Sequence, residues 1–264
     1  MSRTVMMIHG AWLTPASFDR FRERYEARGF ACLAPPWPYM DRPIDQLRKD
    51  PDPRLARVTI GEIVDHYAAI VNTLPEPPIL MGHSFGGLFV QLLLDRRLGA
   101  AGVAIDPGTP RGVLPGMDTM LSSMPVLLAW NGWNRVLTMQ FETFASRFAQ
   151  RLSPAEMRAA YDQYIVPAPG RLYWQAAAGM GNALNYANPS RPPLLLIAGD
   201  EDRTIQPSMV DAAYRKHRKS PSLTEIEHFP GRTHWILNEP GWEEVADRAI
   251  EWATRSTTFV LPAT

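Results

Sequence analysis

The chain alternates between short apolar runs and helix-like segments, and this alternation restricts its fold more than any other feature. Six apolar runs predict buried strands, and they are Thr4–His9, Phe30–Pro35, Ile79–His83, Ala101–Asp106, Leu194–Ala198 and Leu223–Phe229. The first five lack a clean apolar–polar alternation, which is typical of strands covered on both faces of a parallel sheet. The helix-like segments between and after them are Ala16–Arg28, Thr59–Leu74, Phe85–Leu98, Pro207–Lys216 and Gly241–Arg255. This order predicts an α/β fold with a mostly parallel sheet of about six strands flanked by helices.

One interval breaks the alternation. We predict no strand from Pro107 to Pro193, and these roughly 85 residues far exceed what a strand-to-helix connection needs. The interval is rich in methionine and aromatic residues, most of which we expect to pack within it or on the sheet. Helical patterns occur near Thr119–Trp130, Val136–Arg151, Pro154–Tyr164 and Leu172–Tyr186. We interpret residues 107–192 as a helical cap, inserted after the strand that ends near Asp106 into a core formed by 1–106 and 193–264.

Composition excludes several classes of protein. Lys and Arg number 27 and so do Asp and Glu, and the resulting net charge of zero disfavours a nucleic-acid binder or a polybasic membrane-surface protein. Cys32 is the single cysteine, so neither an intrachain disulfide nor a zinc site built on several thiolates is possible. The N-terminal apolar run of about five residues is too short for a signal peptide.

No run approaches the roughly 20 apolar residues of a membrane span. We therefore expect a soluble, cytoplasmic protein, whose oligomeric state the sequence leaves open. The tail Ser256–Thr264 contains Phe259, Val260 and Leu261, for which packing on the domain or on a neighbour stays open.

The segment Gly82-His83-Ser84-Phe85-Gly86 matches the pattern Gly-x-Ser-x-Gly. An apolar strand runs into it and a helix runs out of it, which is the strand–turn–helix setting that presents a nucleophilic serine. Ser84 would lie at a helix N-terminus, where backbone N–H groups favour developing negative charge. The pattern therefore predicts Ser84 as a nucleophile.

A serine hydroxyl needs a base to accept its proton. His234 lies in a loop between the last strand and the last helix, and such a loop opens at the carboxyl edge of a parallel sheet, where ligands bind. We predict His234 as the base. We expect His228 to be packed inside the last strand, and His66 and His217 to be surface or interface residues on helices.

The base in turn needs a carboxylate that fixes its tautomer and stabilises the imidazolium. Asp202 follows a strand end at Gly199 and is our first choice. Asp106 is the alternative acid, because it ends the strand after the elbow helix.

Acyl transfer also needs donors for an oxyanion. One predicted donor is the backbone N–H of Phe85, directly after the nucleophile. The other is the N–H of Ala11 in the loop His9-Gly10-Ala11-Trp12, with Trp12 as the second choice. Trp12 and Trp235 are also candidate pocket residues.

Taken together, the motifs IHGAW, GHSFGG, GDEDRTIQP and GRTHW resemble those of the α/β-hydrolase superfamily, in the same order. The resemblance covers nearly the whole chain. It is closest to capped bacterial serine hydrolases and more distant to plant methylesterases and hydroxynitrile lyases. It implies hydrolysis of small apolar or aromatic carboxylic esters or lactones by Ser84, His234 and Asp202 through an acyl-enzyme, without metal or organic cofactor.

Several branches of the superfamily differ at single residues. Haloalkane dehalogenases and epoxide hydrolases use an aspartate where this chain has Ser84. Hydroxynitrile lyases have a threonine and a lysine where this chain has Gly10 and Trp235, so cyanide elimination is disfavoured. Carbon–carbon bond hydrolases, cofactor-free oxygenases or lyases, and a non-catalytic ligand-binding protein stay open as alternatives.

Overall fold

The computed structural model describes residues 2–258, so Phe259, Val260 and Leu261 of the tail lie outside the described residues. The central sheet is built from strands that occur where the sequence predicts them. In chain order the strands are β1 (Thr4–Ile8), β2 (Ala31–Leu33), β3 (Ile79–His83), β4 (Ala101–Ile105), β5 (Val136–Leu137), β6 (Ala168–Pro169), β7 (Leu194–Gly199) and β8 (Thr224–Phe229). Six of them form a parallel sheet in the order β2-β1-β3-β4-β7-β8.

Helices follow most strands and cover both faces of the sheet. They are α1 (Asp19–Glu26), α2 (Ile44–Lys49), α3 (Ile60–Thr73), α4 (Phe85–Asp95), α5 (Met117–Leu127), α6 (Phe141–Thr143), α7 (Pro154–Tyr164), α8 (Gly170–Ala178), α9 (Pro207–His217) and α10 (Trp242–Thr258). The helix α3 begins where its capping pattern predicts. The Thr59 hydroxyl accepts from the Glu62 N–H at 3.1 Å, and the Glu62 carboxylate accepts from the Thr59 N–H at 2.8 Å.

The core lies on the two faces of the sheet. On one face, Ile8 and Leu80 pack in a cluster with Phe89 of α4 and other residues from α3 and α9. On the other face, Met7 packs in a cluster with Tyr25 of α1 and with residues of α10. Strands buried on both sides need apolar residues at successive positions, which explains the missing alternation in the sequence. The predicted α/β fold with six parallel strands is confirmed.

Residues 107–192, here called the inserted segment, contribute no strand to the central sheet within the described part of the chain. They contain α5 to α8 and a small antiparallel sheet of β5 and β6. The expectation of no strand from Pro107 to Pro193 was wrong in this respect, and the predicted helix over Val136–Arg151 begins with β5 instead. A strand of two residues is too short to leave a periodic pattern.

The helix α5 buries Thr119, Ser122 and Val126, whereas its methionines are exposed. The expectation that the methionines of this region pack inside was therefore wrong for α5. Its exposed apolar residues, with others of the inserted segment, are Leu114, Met117, Met120, Leu121, Met124, Leu128, Trp130, Trp174 and Met180.

Two histidines also lie elsewhere than expected. His217 is fully buried and bonds through Nε2 to the Gln91 side chain at 3.0 Å. His228 is exposed at the end of β8, between the carboxylates of Asp200 and Asp211. Among the helices of residues 2–258, none combines the length and the apolar character that crossing a bilayer requires.

The fold makes a testable prediction about two glycines. A Cβ on Gly86 would lie 1.9 Å from the Ile8 carbonyl oxygen, whereas one on Gly61 in α3 would meet nothing nearer than 4.0 Å. We expect Gly86→Ala to lower the free energy of unfolding by about 3 kcal/mol or more, because backbone must move. Gly61→Ala should raise it by about 0.5–1 kcal/mol, since alanine favours helix. Urea denaturation of both variants measures this, and equal midpoints would contradict the close packing at Gly86.

Candidate active site

Ser84 lies in a strained turn between β3 and α4. Its φ of +56° is unusual for a residue with a side chain. A Cβ on Gly82 would lie 2.2 Å from the Gly86 carbonyl oxygen, so the turn requires glycine at position 82. The Ser84 N–H donates to the Ile105 carbonyl at 3.0 Å, and its carbonyl accepts from the Gly108 N–H at 2.8 Å. Bonds from the neighbouring strand therefore hold the turn in place.

The loop after β1 packs against this serine. A Cβ on Gly10 would lie 2.7 Å from Ser84 Cβ and 3.4 Å from Ser84 Oγ. The side chain of His9 points away, since its Nδ1–H donates to the Gly10 carbonyl and its Nε2 accepts from the Trp37 N–H. Within residues 2–258 the Ser84 hydroxyl makes no hydrogen bond, so it is free for another partner.

Asp202 and His234 form a buried pair. His234 Nδ1 lies 2.6 Å from Asp202 Oδ2, and both side chains have no exposed surface. The other carboxylate oxygen of Asp202 accepts from the N–H groups of Thr204 at 2.6 Å and Ile205 at 2.8 Å. Burial lowers the pKa of His234 to about 3 and raises that of Asp202, so the imidazole is neutral at neutral pH. His234 Nε2 is buried and has no hydrogen-bond partner among the described residues.

The histidine before the serine helps to position this pair. His83 Nε2 donates to the His234 carbonyl at 2.9 Å, and the two rings lie 4.6 Å apart. Burial lowers the pKa of His83 well below its usual range, so it adds no charge next to His234. The edge of the Phe148 ring, from the inserted segment, lies against His234 at 4.5 Å. The His234 loop is thus held from both sides.

Asp106 lies close to the same histidine but does not bond to it. It follows β4 with a φ of +41°, and its Oδ1 accepts from the Gly199 N–H at 2.7 Å. Its Oδ2 is buried and has no partner within residues 2–258. Burial and the charge of Asp202 raise its pKa well above the usual range. Of the two predicted acids, the structure pairs Asp202 with His234.

Asp106 also belongs to a cluster of potential metal ligands. One of its carboxylate oxygens and one ring nitrogen each of His83 and His234 lie within 4.8 Å of one another. This is the one such group among the described residues. The same His234 can serve as a base.

Two backbone N–H groups are available near Ser84. Phe85 is the first residue of α4, so its N–H has no acceptor within the helix. The Ala11 N–H has no hydrogen-bond partner in the described part of the chain. Because Gly10 contacts Ser84, the loop brings Ala11 to the serine. Trp12, the second choice, has a φ of +63°.

A cavity of about 380 Å³ opens directly at Ser84. Arg111 is the one charged residue among those found to line it. Its larger side chains come from α4, the inserted segment, the loop after β7 and α9, and they include Phe85, Leu88, Leu114, Met120, Leu127, Tyr173, Asn182, Ile205 and Met209. The cavity is thus mostly apolar, as ligand sites usually are.

The two candidate pocket tryptophans do not line this cavity. Trp12 lines a separate cavity of about 250 Å³, and Trp235 packs among Phe144, Phe148 and Tyr164. Sequence reasoning missed Tyr173, whose ring lies 5.1 Å from that of Phe85. Tyr173 lies in a predicted helix, but helical periodicity does not show which side of a helix faces a cavity.

Comparison with known proteins identifies the family of this chain. A model described as the alpha/beta hydrolase family matches residues 5–248. No curated protein matches the sequence. A monoacylglycerol lipase from Paleococcus ferrophilus superposes with a TM-score of 0.70 at 21% identity, covering 96% of this chain and 94% of that one.

Two further solved structures are similar over nearly their full lengths. A pyrethroid hydrolase from Sphingobium faniae JZ-2 has a TM-score of 0.69 at 19% identity, covering 98% of this chain and 100% of that one. Tomato methylketone synthase I complexed with 2-tridecanone has a TM-score of 0.71 at 15% identity, covering 97% and 99% respectively. At these identities the solved structures show a common fold. Because the family model spans most of the sequence, the chain belongs to the alpha/beta hydrolase family.

Proposed function

We propose that the protein hydrolyses carboxylic esters or lactones, with Ser84 as nucleophile, His234 as base and Asp202 as the acid that orients the base. One observation carries this proposal. His234 Nδ1 lies 2.6 Å from the buried Asp202, and its Nε2 has no hydrogen-bond partner among the described residues. The carbonyl of His234 accepts a hydrogen bond from His83, the residue before Ser84. A neutral imidazole with a free Nε2 is what proton transfer from a serine requires.

The proposed reaction gives each of these residues one role. His234 Nε2 accepts the proton of Ser84 Oγ as that oxygen attacks the acyl carbon, and the imidazolium then protonates the leaving alcohol. The N–H groups of Ala11 and Phe85 bind the oxyanion, where loss of one donor typically costs about 2.7–4 kcal/mol of barrier. Water, deprotonated by the same histidine, releases the acid from Ser84, and Asp202 stabilises the imidazolium in both steps.

The cavity supports an uncharged, apolar substrate. Its lining has no carboxylate, and Arg111 lies at an exposed position. We propose that the inserted segment 107–192 acts as the cap over the site, since Leu114, Met120 and Tyr173 from it line the cavity. The relatives' names point to the same class, because they mention a monoacylglycerol, a pyrethroid and 2-tridecanone.

The nucleophile can be tested directly with p-nitrophenyl esters of increasing acyl length. We expect wild type to turn them over and Ser84→Ala to lose at least about 10⁴-fold in kcat, because the attacking oxygen is gone. Ser146→Ala, which changes a hydroxyl bonded to the Glu142 carbonyl, is the matched control and should keep full activity. If Ser84→Ala turned over esters as fast as wild type, Ser84 would not be the nucleophile.

The two neighbouring acids should behave differently. Asp202→Asn breaks the pairing with His234, and we expect kcat to fall about 10⁴-fold at neutral pH. Burial raises the pKa of Asp106 and so favours its uncharged form, and an asparagine can still accept from the Gly199 N–H. Asp106→Asn should therefore stay within about tenfold of wild type, a neutral hydrogen bond being worth about 1 kcal/mol. Steady-state kinetics with one ester measures both, and the reverse order would assign the acid role to Asp106.

The size of the acyl site can be tested at Ala176, which is half-buried and lines the cavity. We expect Ala176→Phe to lower kcat/KM for esters with long acyl chains by about 15-fold, because the phenyl ring takes the space of about two buried methylene groups. Acetyl esters should be little affected. Ala155→Phe, at an exposed position of α7, is the control. An unchanged chain-length preference would show that the acyl group binds elsewhere.

A further inference from the structure

One residue of the loop after β1 is attached to the inserted segment by three separate contacts. The Trp12 carbonyl accepts from the Val166 N–H at 2.9 Å, and its indole N–H donates to the Leu137 carbonyl at 3.1 Å. Its ring lies 4.8 Å from that of Tyr173. Trp12 is almost completely buried. The loop that carries Gly10 and Ala11 is therefore held by residues that lie more than a hundred positions away in the sequence.

The anchors form one structural unit. Leu137 belongs to β5, and Val166 precedes β6 by two residues. These strands pair antiparallel, with Leu137 opposite Ala168. A displacement of this small sheet would therefore move both the carbonyl and the indole of Trp12.

The conformation of Trp12 requires such support. Its φ of +63° lies in the left-handed region, which is unfavourable for a bulky side chain. Residues in such conformations persist when surrounding contacts over-determine them. This conformation sets the orientation of the peptide between Ala11 and Trp12. The N–H of Ala11, on the other side of that alanine, is the proposed oxyanion donor.

Tyr173 connects the same contacts to the cavity. It lies against Trp12 on one side, and its ring is 5.1 Å from that of Phe85, whose N–H is the second proposed oxyanion donor. Tyr173 also lines the cavity at Ser84. A substrate that fills the cavity thus contacts Tyr173. The Tyr173 ring packs against Phe85 and against Trp12, the residue next to Ala11.

We propose that Trp12 is a positioning residue through which the inserted segment holds the oxyanion loop, so that cavity occupancy and transition-state stabilisation are linked. This inference rests on the proposed function, with Ala11 as an oxyanion donor. Because the oxyanion forms only in the transition state, displacing Ala11 lowers kcat and leaves KM nearly unchanged.

The test is Trp12→Phe, which keeps an aromatic ring at this site and removes the indole N–H that reaches Leu137. We expect kcat to fall about tenfold and KM to change less than about twofold, because misplaced donors lose much of their effect. Trp133→Phe, in the inserted segment, is the matched control, because its ring is only half-buried, beneath Arg171. It should match wild type. All three proteins are compared at a temperature where circular dichroism shows each fully folded.

Inhibitor binding supplies a readout that loss of packing alone would not reproduce. Ser84 Oγ adds to the carbonyl carbon of a trifluoromethyl ketone while His234 Nε2 accepts its proton, and the resulting alkoxide occupies the oxyanion site. The matching methyl ketone fills the cavity without forming that alkoxide. We expect Trp12→Phe to weaken the trifluoromethyl ketone about tenfold and the methyl ketone by less than about twofold.

Three results separate the possible failures. If Trp12→Phe matches wild type in kcat and in both inhibition constants, or raises KM alone, Trp12 is ordinary packing and the inference is wrong. If it weakens both ketones equally, the variant distorts the cavity instead of the oxyanion loop, which also overturns the inference. If wild type neither hydrolyses esters nor binds the trifluoromethyl ketone, the proposed function itself fails.

Discussion

The backbone contact between the elbow and β1 is the constraint on which the remaining site depends. The chain at Gly86 approaches the Ile8 carbonyl so closely that no side chain fits between them, and Gly82 is equally close to Gly86. This contact brings the end of β1 and the start of α4 together. It therefore holds the turn that carries Ser84 and Phe85 against β1, and a bulkier residue at either glycine would push the two apart.

Burial then determines the electrostatics of the site. His83, Asp106, Asp202 and His234 are all enclosed, and no cation lies close enough to pair with them in the described part of the chain. Since ionised forms are costly in such surroundings, burial lowers the pKa of His83 and His234 and raises that of Asp106 and Asp202. The His234 imidazole is therefore neutral at neutral pH, as the proposed base must be.

The inserted segment contributes contacts to several residues of the site. It supplies Phe148 against His234, Tyr173 against Phe85, and the acceptor for the Trp12 indole. On α5 it exposes Met117, Leu121 and Met124, while Thr119 and Ser122 are buried. The inserted segment is therefore in contact with His234, with Phe85 and with the loop that carries Ala11.

The sequence by itself determined the parallel sheet and the placement of Ser84, Asp202 and His234 at strand ends. Apolar runs without alternation require burial on both faces, and parallel strands present their carboxyl ends at one edge. Only the tertiary structure decided between the two acids. Asp202 reaches His234 Nδ1, whereas one oxygen of Asp106 is occupied by the Gly199 N–H. It also decided that Tyr173 faces the cavity while Trp12 and Trp235 do not. Side-chain direction depends on contacts between residues far apart in sequence, and local patterns do not contain that information.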